Sequence, residues 1–188
     1  MVEIVEQSGI DDSAGMPEYP KRGPFLFIGT FITPGPAGLD SFIEPYQGLE
    51  FREKITALES RLSDLPQIEC ELNHYFAPGV YTRECLIPAG TLVIGKIHLH
   101  EHMNILISGD VSIMTEFDGV QRIQGPKFMT SKAGTKRFLY AHTDLVWSTI
   151  HLNPTDERDI ETLEAGLVVT DYAFLPLGEA KYHELAGG

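Results

Sequence analysis

Short segments rich in β-branched and aromatic residues, separated by turn signals, occupy the chain from residue 79 to residue 152. They predict eight strands, at residues 79–87, 90–102, 104–108, 111–117, 120–123, 127–131, 138–141 and 145–152. Glycine stands in most of the turns between them, as in Ser108-Gly109-Asp110 and Asp118-Gly119. Closely spaced strands without intervening helices exclude alternating α/β layers and predict an all-β sandwich or closed barrel.

The bulk properties indicate one acidic domain. A chain of 188 residues is long enough for one well-buried core with an additional arm, but too short for two ordinary domains. Its net charge of −13, with basic residues clustered only at Lys132, Lys136 and Arg137, argues against nucleic-acid binding. No signal peptide or membrane-spanning segment is predicted, so we expect synthesis in a cytoplasm and no membrane partner. Cys70 and Cys85 are predicted to be buried thiols.

Four regions are predicted along the chain. Residues 1–47, rich in proline and glycine, form an extended N-terminal arm, because such punctuation prevents long helices and central strands. Residues 48–66 form an amphipathic helix that ends before Pro66, residues 67–155 form the barrel, and residues 156–188 form an acidic helix and a C-terminal tail. The arm is apolar enough to dock, either on its own barrel or on a neighbouring subunit, and arm exchange predicts a homo-oligomer.

Three histidines at alternate positions, His98, His100 and His102, are the main candidate for a site. Side chains alternate along a strand, so a regular strand would present all three imidazoles on one face. His151 lies on a later predicted strand and is a further candidate ligand. Imidazole is a common ligand of transition metals, so the cluster predicts either one divalent ion (Zn, Fe, Mn or Ni) or a polar barrel interior without metal.

The spacing around these histidines resembles the first motif of the cupin superfamily: a glycine, a His-x-His pair, a carboxylate and a hairpin glycine. Gly90, His98, His100 and Gly109 fit one register, in which Asn104 replaces the carboxylate. A second register, counted back from Gly109, places His102 at the carboxylate position and Lys96 and His98 at the pair. The resemblance implies a double-stranded β-helix, or jelly-roll, barrel with one or two short helices outside it.

The second cupin motif resembles Lys132-Ala133-Gly134 followed by Arg137, where the family carries a histidine. Arginine stays protonated and does not bind metals, but it suits a carboxylate or phosphate. Arg137 is therefore a predicted substrate-binding residue. The basic group around it either holds an anionic ligand at the barrel mouth or neutralises the acidic segment 156–164.

A closer resemblance runs from about residue 58 to residue 151, to small cupin-like proteins encoded by tailed bacteriophages and prophages. Its main segments are 76–81, 87–90, 95–98, 102–105, 134–137 and 147–151. It implies a viral context, with the host cytoplasm and the virion as expected locations and other virion proteins as expected partners.

Two functions follow from these observations. The first is a phage-encoded structural or binding module, an oligomer that docks through its arm. The alternative is a metal-dependent cupin enzyme acting on a small anionic substrate, for which the fold accommodates isomerisation, dioxygenation and hydrolysis.

Overall fold

The computed structural model describes residues 29–32 and 42–175, and every structural statement below concerns these residues. The predicted arm lies outside the described residues except for 29–32 and 42–47, as does the tail beyond residue 175. The twelve described strands are β1 (Gly29–Ile32), β2 (Glu71–Ala77), β3 (Gly79–Ile87), β4 (Leu92–Gly95), β5 (Ile97–His98), β6 (His102–Ser108), β7 (Asp110–Thr115), β8 (Gly119–Gln124), β9 (Lys127–Ser131), β10 (Phe138–Ala141), β11 (Leu145–Asn153) and β12 (Val168–Val169). The two α-helices are α1 (Phe51–Ser63) and α2 (Ile160–Leu167).

The strands form two antiparallel five-stranded sheets, in the order β1-β4-β10-β7-β8 and β2-β3-β11-β6-β9. Eight of these strands, four in each sheet, pair in the order of a jelly roll. Strand β1 extends the first sheet beyond β4, and β2 extends the second beyond β3. A short antiparallel ladder joins β12 to β5. The all-β jelly-roll prediction is therefore confirmed.

Strands β3, β9 and β10 coincide with their predicted ranges, whereas two predictions needed correction. The predicted strand 90–102 is interrupted: β4 ends at Gly95 and β5 at His98, and the next strand begins only at His102. Strand β2 was not predicted, because it lies at a sheet edge and none of its residues is buried, which removes the alternation of buried and exposed residues that marks a strand.

Helix α1 covers the outer face of the first sheet. Its apolar residues Ile55, Leu58 and Leu62 are fully buried and pack with side chains of that sheet such as Phe138 and Leu92. Strand β10 is thus buried on both faces, which explains its continuous apolar run. Inside the barrel a second core, which includes Val93, Leu106 and Trp147, fills the space between the sheets.

The ends of the barrel are held by polar contacts. Lys136 is 2% exposed and its ammonium pairs with the Glu59 carboxylate of α1. The same ammonium donates to the Thr170 carbonyl oxygen at 3.3 Å.

Neither helix of the described chain is long and apolar enough to cross a membrane.

Candidate metal centre

Three buried histidines meet inside the barrel. His98 ends β5, His102 begins β6 and His151 lies on β11, and each side chain is buried. The ring centroids of His98 and His102 are 4.0 Å apart, and those of His102 and His151 are 4.9 Å apart. One nitrogen from each ring can be chosen so that all three atoms lie within 4.8 Å of one another. We call this set the histidine triad.

The chain leaves the strand between the first two histidines of the triad. Residues 99 and 100 form a bend. His98 is held by backbone hydrogen bonds from the Gly134 N–H to its carbonyl (2.7 Å) and from its own N–H to the Thr135 carbonyl (3.2 Å). His98 and His102 therefore face each other from separate strands, and His100 lies exposed, its Nε2 3.2 Å from the Gly166 carbonyl oxygen. The prediction that the three alternate histidines share one strand face was wrong, because the strand does not continue through residue 100.

Hydrogen bonding determines which nitrogen of His102 carries the proton. Its Nδ1 lies 2.9 Å from the His100 carbonyl oxygen, an atom that only accepts, so Nδ1 is the N–H and Nε2 has a free lone pair. That Nε2 is buried and has no hydrogen-bond partner in the structure, and the same holds for His98 Nδ1. Unpartnered buried nitrogens are costly and require an explanation, and a metal ion among these rings would satisfy them.

All three rings are neutral near pH 7. Burial is the main cause and, with repulsion from neighbouring charges, lowers the pKa of His102 to about 4 and that of His151 to about 3. Burial followed by repulsion from His102 and His151 lowers the pKa of His98 well below its usual value. Neutral imidazole is the protonation state that binds metals. Among the described residues no carboxylate or thiol joins the triad, so a bound ion would keep a coordination position for water or substrate.

Cationic side chains surround a small cavity of about 50 Å³ beside His98, which we call the inner chamber. Arg83, Lys96 and Arg137 line it, together with apolar residues such as Trp147. The carboxylate of Glu164 on α2 lies 3.1 Å from the Lys96 ammonium and 3.7 Å from the Arg83 guanidinium. Neither Arg83 nor Glu164 was predicted as a site residue. Glu164 was missed because it belongs to an acidic segment whose sequence suggests a solvated helix face.

Arg137, the predicted substrate-binding residue, has a different environment from the other two cations. Within the described chain no carboxylate lies within 4.0 Å of its guanidinium, which lies 5.8 Å from the centre of the Trp147 ring. Burial lowers its pKa to about 10, so the group remains protonated at neutral pH. Its predicted companion Lys136 instead pairs with Glu59, and Lys132 lies over the Phe117 ring at 4.9 Å.

The structure agrees with the second of the two cupin registers in how it places side chains. Lys96 and His98 line the inner chamber and His102 faces them, whereas Asn104 lies one layer deeper in the barrel. The Asn104 amide donates to the Ser131 hydroxyl at 2.9 Å and accepts from the Trp147 indole at 3.1 Å. Asn104 is thus satisfied by its neighbours.

Comparisons with known proteins give similarity in fold alone. No family model and no curated protein sequence matches the chain. An RmlC-like cupin family protein with a double-stranded β-helix fold, from Methanocaldococcus jannaschii, matches 46% of this chain and 84% of its own, with 12% identity and a TM-score of 0.39. Ectoine synthase from P. lautus matches 46% of this chain and 65% of its own, at 16% identity and a TM-score of 0.40. An acetylacetone dioxygenase from Acinetobacter johnsonii matches 48% and 66%, at 15% identity and a TM-score of 0.36.

Proposed function

We propose that this protein is a metal-dependent cupin-fold enzyme that acts on a small anionic substrate inside its barrel. The observation that supports this most directly is the free, buried lone pair of His102 Nε2 beside two other neutral imidazoles. A divalent transition metal (Zn, Fe, Mn or Ni) held by His98, His102 and His151 would supply Lewis acidity and, for a redox-active ion, electron transfer.

The chain's own residues determine what the chamber accepts. Three cations line the inner chamber and one carboxylate, that of Glu164, pairs with two of them, so the chamber favours an anion. Arg137 is free of an acidic partner among the described residues and is the group that would anchor the anion. Apolar walls, including Val93, Leu139 and Trp147, exclude water and strengthen that interaction.

Metal analysis of protein purified without an affinity tag tests this proposal. We expect close to one equivalent of a transition metal per chain, lost at least tenfold in His102→Ala, because three-ligand binding depends on each imidazole. His100→Ala is the matched control, since His100 is exposed and the His102 ring bonds to its backbone oxygen, which the substitution keeps. Metal-free wild-type protein that neither copurifies with nor takes up an added ion would contradict the proposal.

A role as a phage structural module remains a second candidate. The observation in its favour is a set of exposed apolar side chains on the outer face of the second sheet, among them Phe128, Leu152 and Met103, because large exposed apolar patches mark interaction sites. Mass spectrometry of purified virions tests this role, and so does inspection of the neighbouring genes for capsid and tail proteins. Absence of the chain from virions would contradict it.

A further inference from the structure

A second and larger cavity opens beside the inner chamber. It has a volume of about 270 Å³ and lies between the β7–β8 hairpin of the first sheet and β9 of the second. We call it the outer chamber. Arg137 lines both chambers and is the residue that their linings share. At about 30 Å³ per water in the liquid, the outer chamber has room for roughly nine waters or a ligand of about ten non-hydrogen atoms.

Two cations, Arg137 and Lys132, line the outer chamber, and neither pairs with a carboxylate among the described residues. Three neighbouring cations do pair with acids: Arg83 and Lys96 with Glu164, and Lys136 with Glu59. Arg137 has no such pair, although Asp118, which also lines the chamber, acts on it from a longer distance. Arg137 is partly buried. A guanidinium withdrawn from water without a close carboxylate is costly, and a bound anion would offset that cost.

The remaining walls offer hydrogen bonds to a polar ligand. Ser131 accepts from the Asn104 amide, and its own hydroxyl proton has no acceptor among the described residues. Thr135 donates to the Lys132 carbonyl, which leaves its oxygen able to accept. One carboxylate oxygen of Asp118 accepts from the Thr115 hydroxyl, and the other oxygen is available to a ligand hydroxyl. The chamber therefore presents one guanidinium for a carboxylate, and donors and acceptors that a hydrocarbon chain would leave unsatisfied.

We propose that the outer chamber binds a hydroxylated carboxylic acid of about four to six carbons, with its carboxylate on Arg137 and its hydroxyls on Asp118, Ser131 and Thr135. This rests on the proposed function and deepens it, because it names the class of anion that Arg137 would anchor. The outer chamber would hold the hydroxylated part of that anion. Binding depends on Arg137, and the metal is not part of the chamber.

Calorimetric titration with three four-carbon probes tests the class of ligand. L-threonate carries a carboxylate and three hydroxyls, butyrate has the carboxylate alone, and erythritol has the hydroxyls alone. We expect threonate to bind at least tenfold more tightly than either control, since both halves of the ligand meet a partner. Butyrate or inorganic phosphate binding as tightly as threonate would overturn the class, and so would no binding by threonate or D-gluconate at about 10 mM.

Three variants test the site. Arg137→Gln should weaken threonate binding at least tenfold, whereas Arg122→Gln, an exposed arginine paired with Asp110, should leave it unchanged. Gln121→Trp, on the exposed wall of the chamber, should also weaken binding by filling the space, and it keeps the proposal testable if Arg137→Gln does not fold. Unchanged binding in a folded Arg137→Gln or in Gln121→Trp would overturn the proposal.

A variant that lacks a proposed metal ligand separates this inference from the function on which it rests. His102→Ala removes a proposed ligand of the ion and lies outside the outer chamber, so it should keep threonate affinity within about threefold. Threonate binding by a wild-type protein that takes up no added metal would support the chamber and contradict the metal-dependent function. Stoichiometric metal without threonate binding would do the reverse.

Discussion

At the scale of single residues, protonation and desolvation determine what the histidine triad can do. Each ring would carry a charge in water at mildly acidic pH, but burial in the barrel lowers all three pKa values. The rings thus stay neutral and keep their lone pairs over the whole physiological range. The same shift couples the triad to the stability of the metal-free fold.

The free energy of unfolding of chelator-treated protein should fall between pH 7.5 and pH 5. The unfolded chain takes up protons at its histidines near pH 6.5, whereas folded His102 and His151 do so only near pH 4 and 3, so the unfolded state binds more protons in this window and gains stability. We expect a loss of roughly 1–2 kcal/mol for each triad histidine. Denaturant titrations at the two pH values measure it.

His151→Phe is the variant for this experiment, because it removes one of the three shifted groups while it keeps an aromatic ring in the core. Between pH 7.5 and pH 5, the free energy of unfolding of this variant should fall by about one third less than that of the wild type. His100→Ala should match the wild type. An unfolding free energy of the wild type that does not change over this window would show that the triad histidines are not held neutral by the fold.

At the scale of elements, the helices hold in place the loop that carries Arg137, the candidate substrate-binding residue. Lys136 precedes Arg137 and connects three parts of the chain: its own loop, Glu59 on α1 and the Thr170 carbonyl beyond β12. Helix α2 acts similarly at the strand of His98, since the Leu99 N–H donates to the Leu167 carbonyl at 2.9 Å and Val168 pairs with His98. Contacts between residues far apart in the sequence thus fix the positions of Arg137 and His98, which line the chambers.

Glu59→Ala should destabilise the protein by roughly 2–3 kcal/mol, because it leaves the buried Lys136 ammonium without its carboxylate. The expected loss is less than for a fully buried pair, since the Glu59 side chain is about one third exposed. Glu53→Ala, at an exposed position of the same helix, should change stability by less than about 0.5 kcal/mol. Urea unfolding of both variants checks this, and equal losses would contradict the role of the pair.

At the scale of the whole molecule, the two sheets differ in how their outer faces are covered. Helix α1 packs on the first sheet, whereas the second presents apolar side chains to solvent, with Phe128 65% and Leu152 81% exposed. The strand register pairs apolar residues within this patch, because Phe128 lies opposite Ile105 and Met103 lies opposite Ile150. An exposed apolar sheet face of this kind suits a second copy of the same face, related by a two-fold axis.

We therefore expect the homo-oligomer predicted from the sequence to include a dimer through the second sheet. The double substitution Phe128→Glu and Leu152→Glu should shift the protein to monomers, because it would bury four like charges at the two-fold interface. Val120→Glu, at a half-exposed apolar position of β8 in the first sheet, is the control. Sedimentation velocity at tens of micromolar measures the outcome, and a monomeric wild type would contradict the expectation.

Local patterns in the sequence determined the barrel strands, helix α1 and the histidine cluster of this protein. Turn glycines and β-branched residues act on their immediate neighbours, so β3, β9 and β10 could be predicted residue by residue. Only the tertiary structure decided that His100 leaves the cluster, that Arg137 has no acidic partner within the described chain, and that Glu164 reaches Arg83 and Lys96. These facts depend on the bend that interrupts the strand after His98 and on contacts between strands and helices far apart in sequence, which no local pattern encodes.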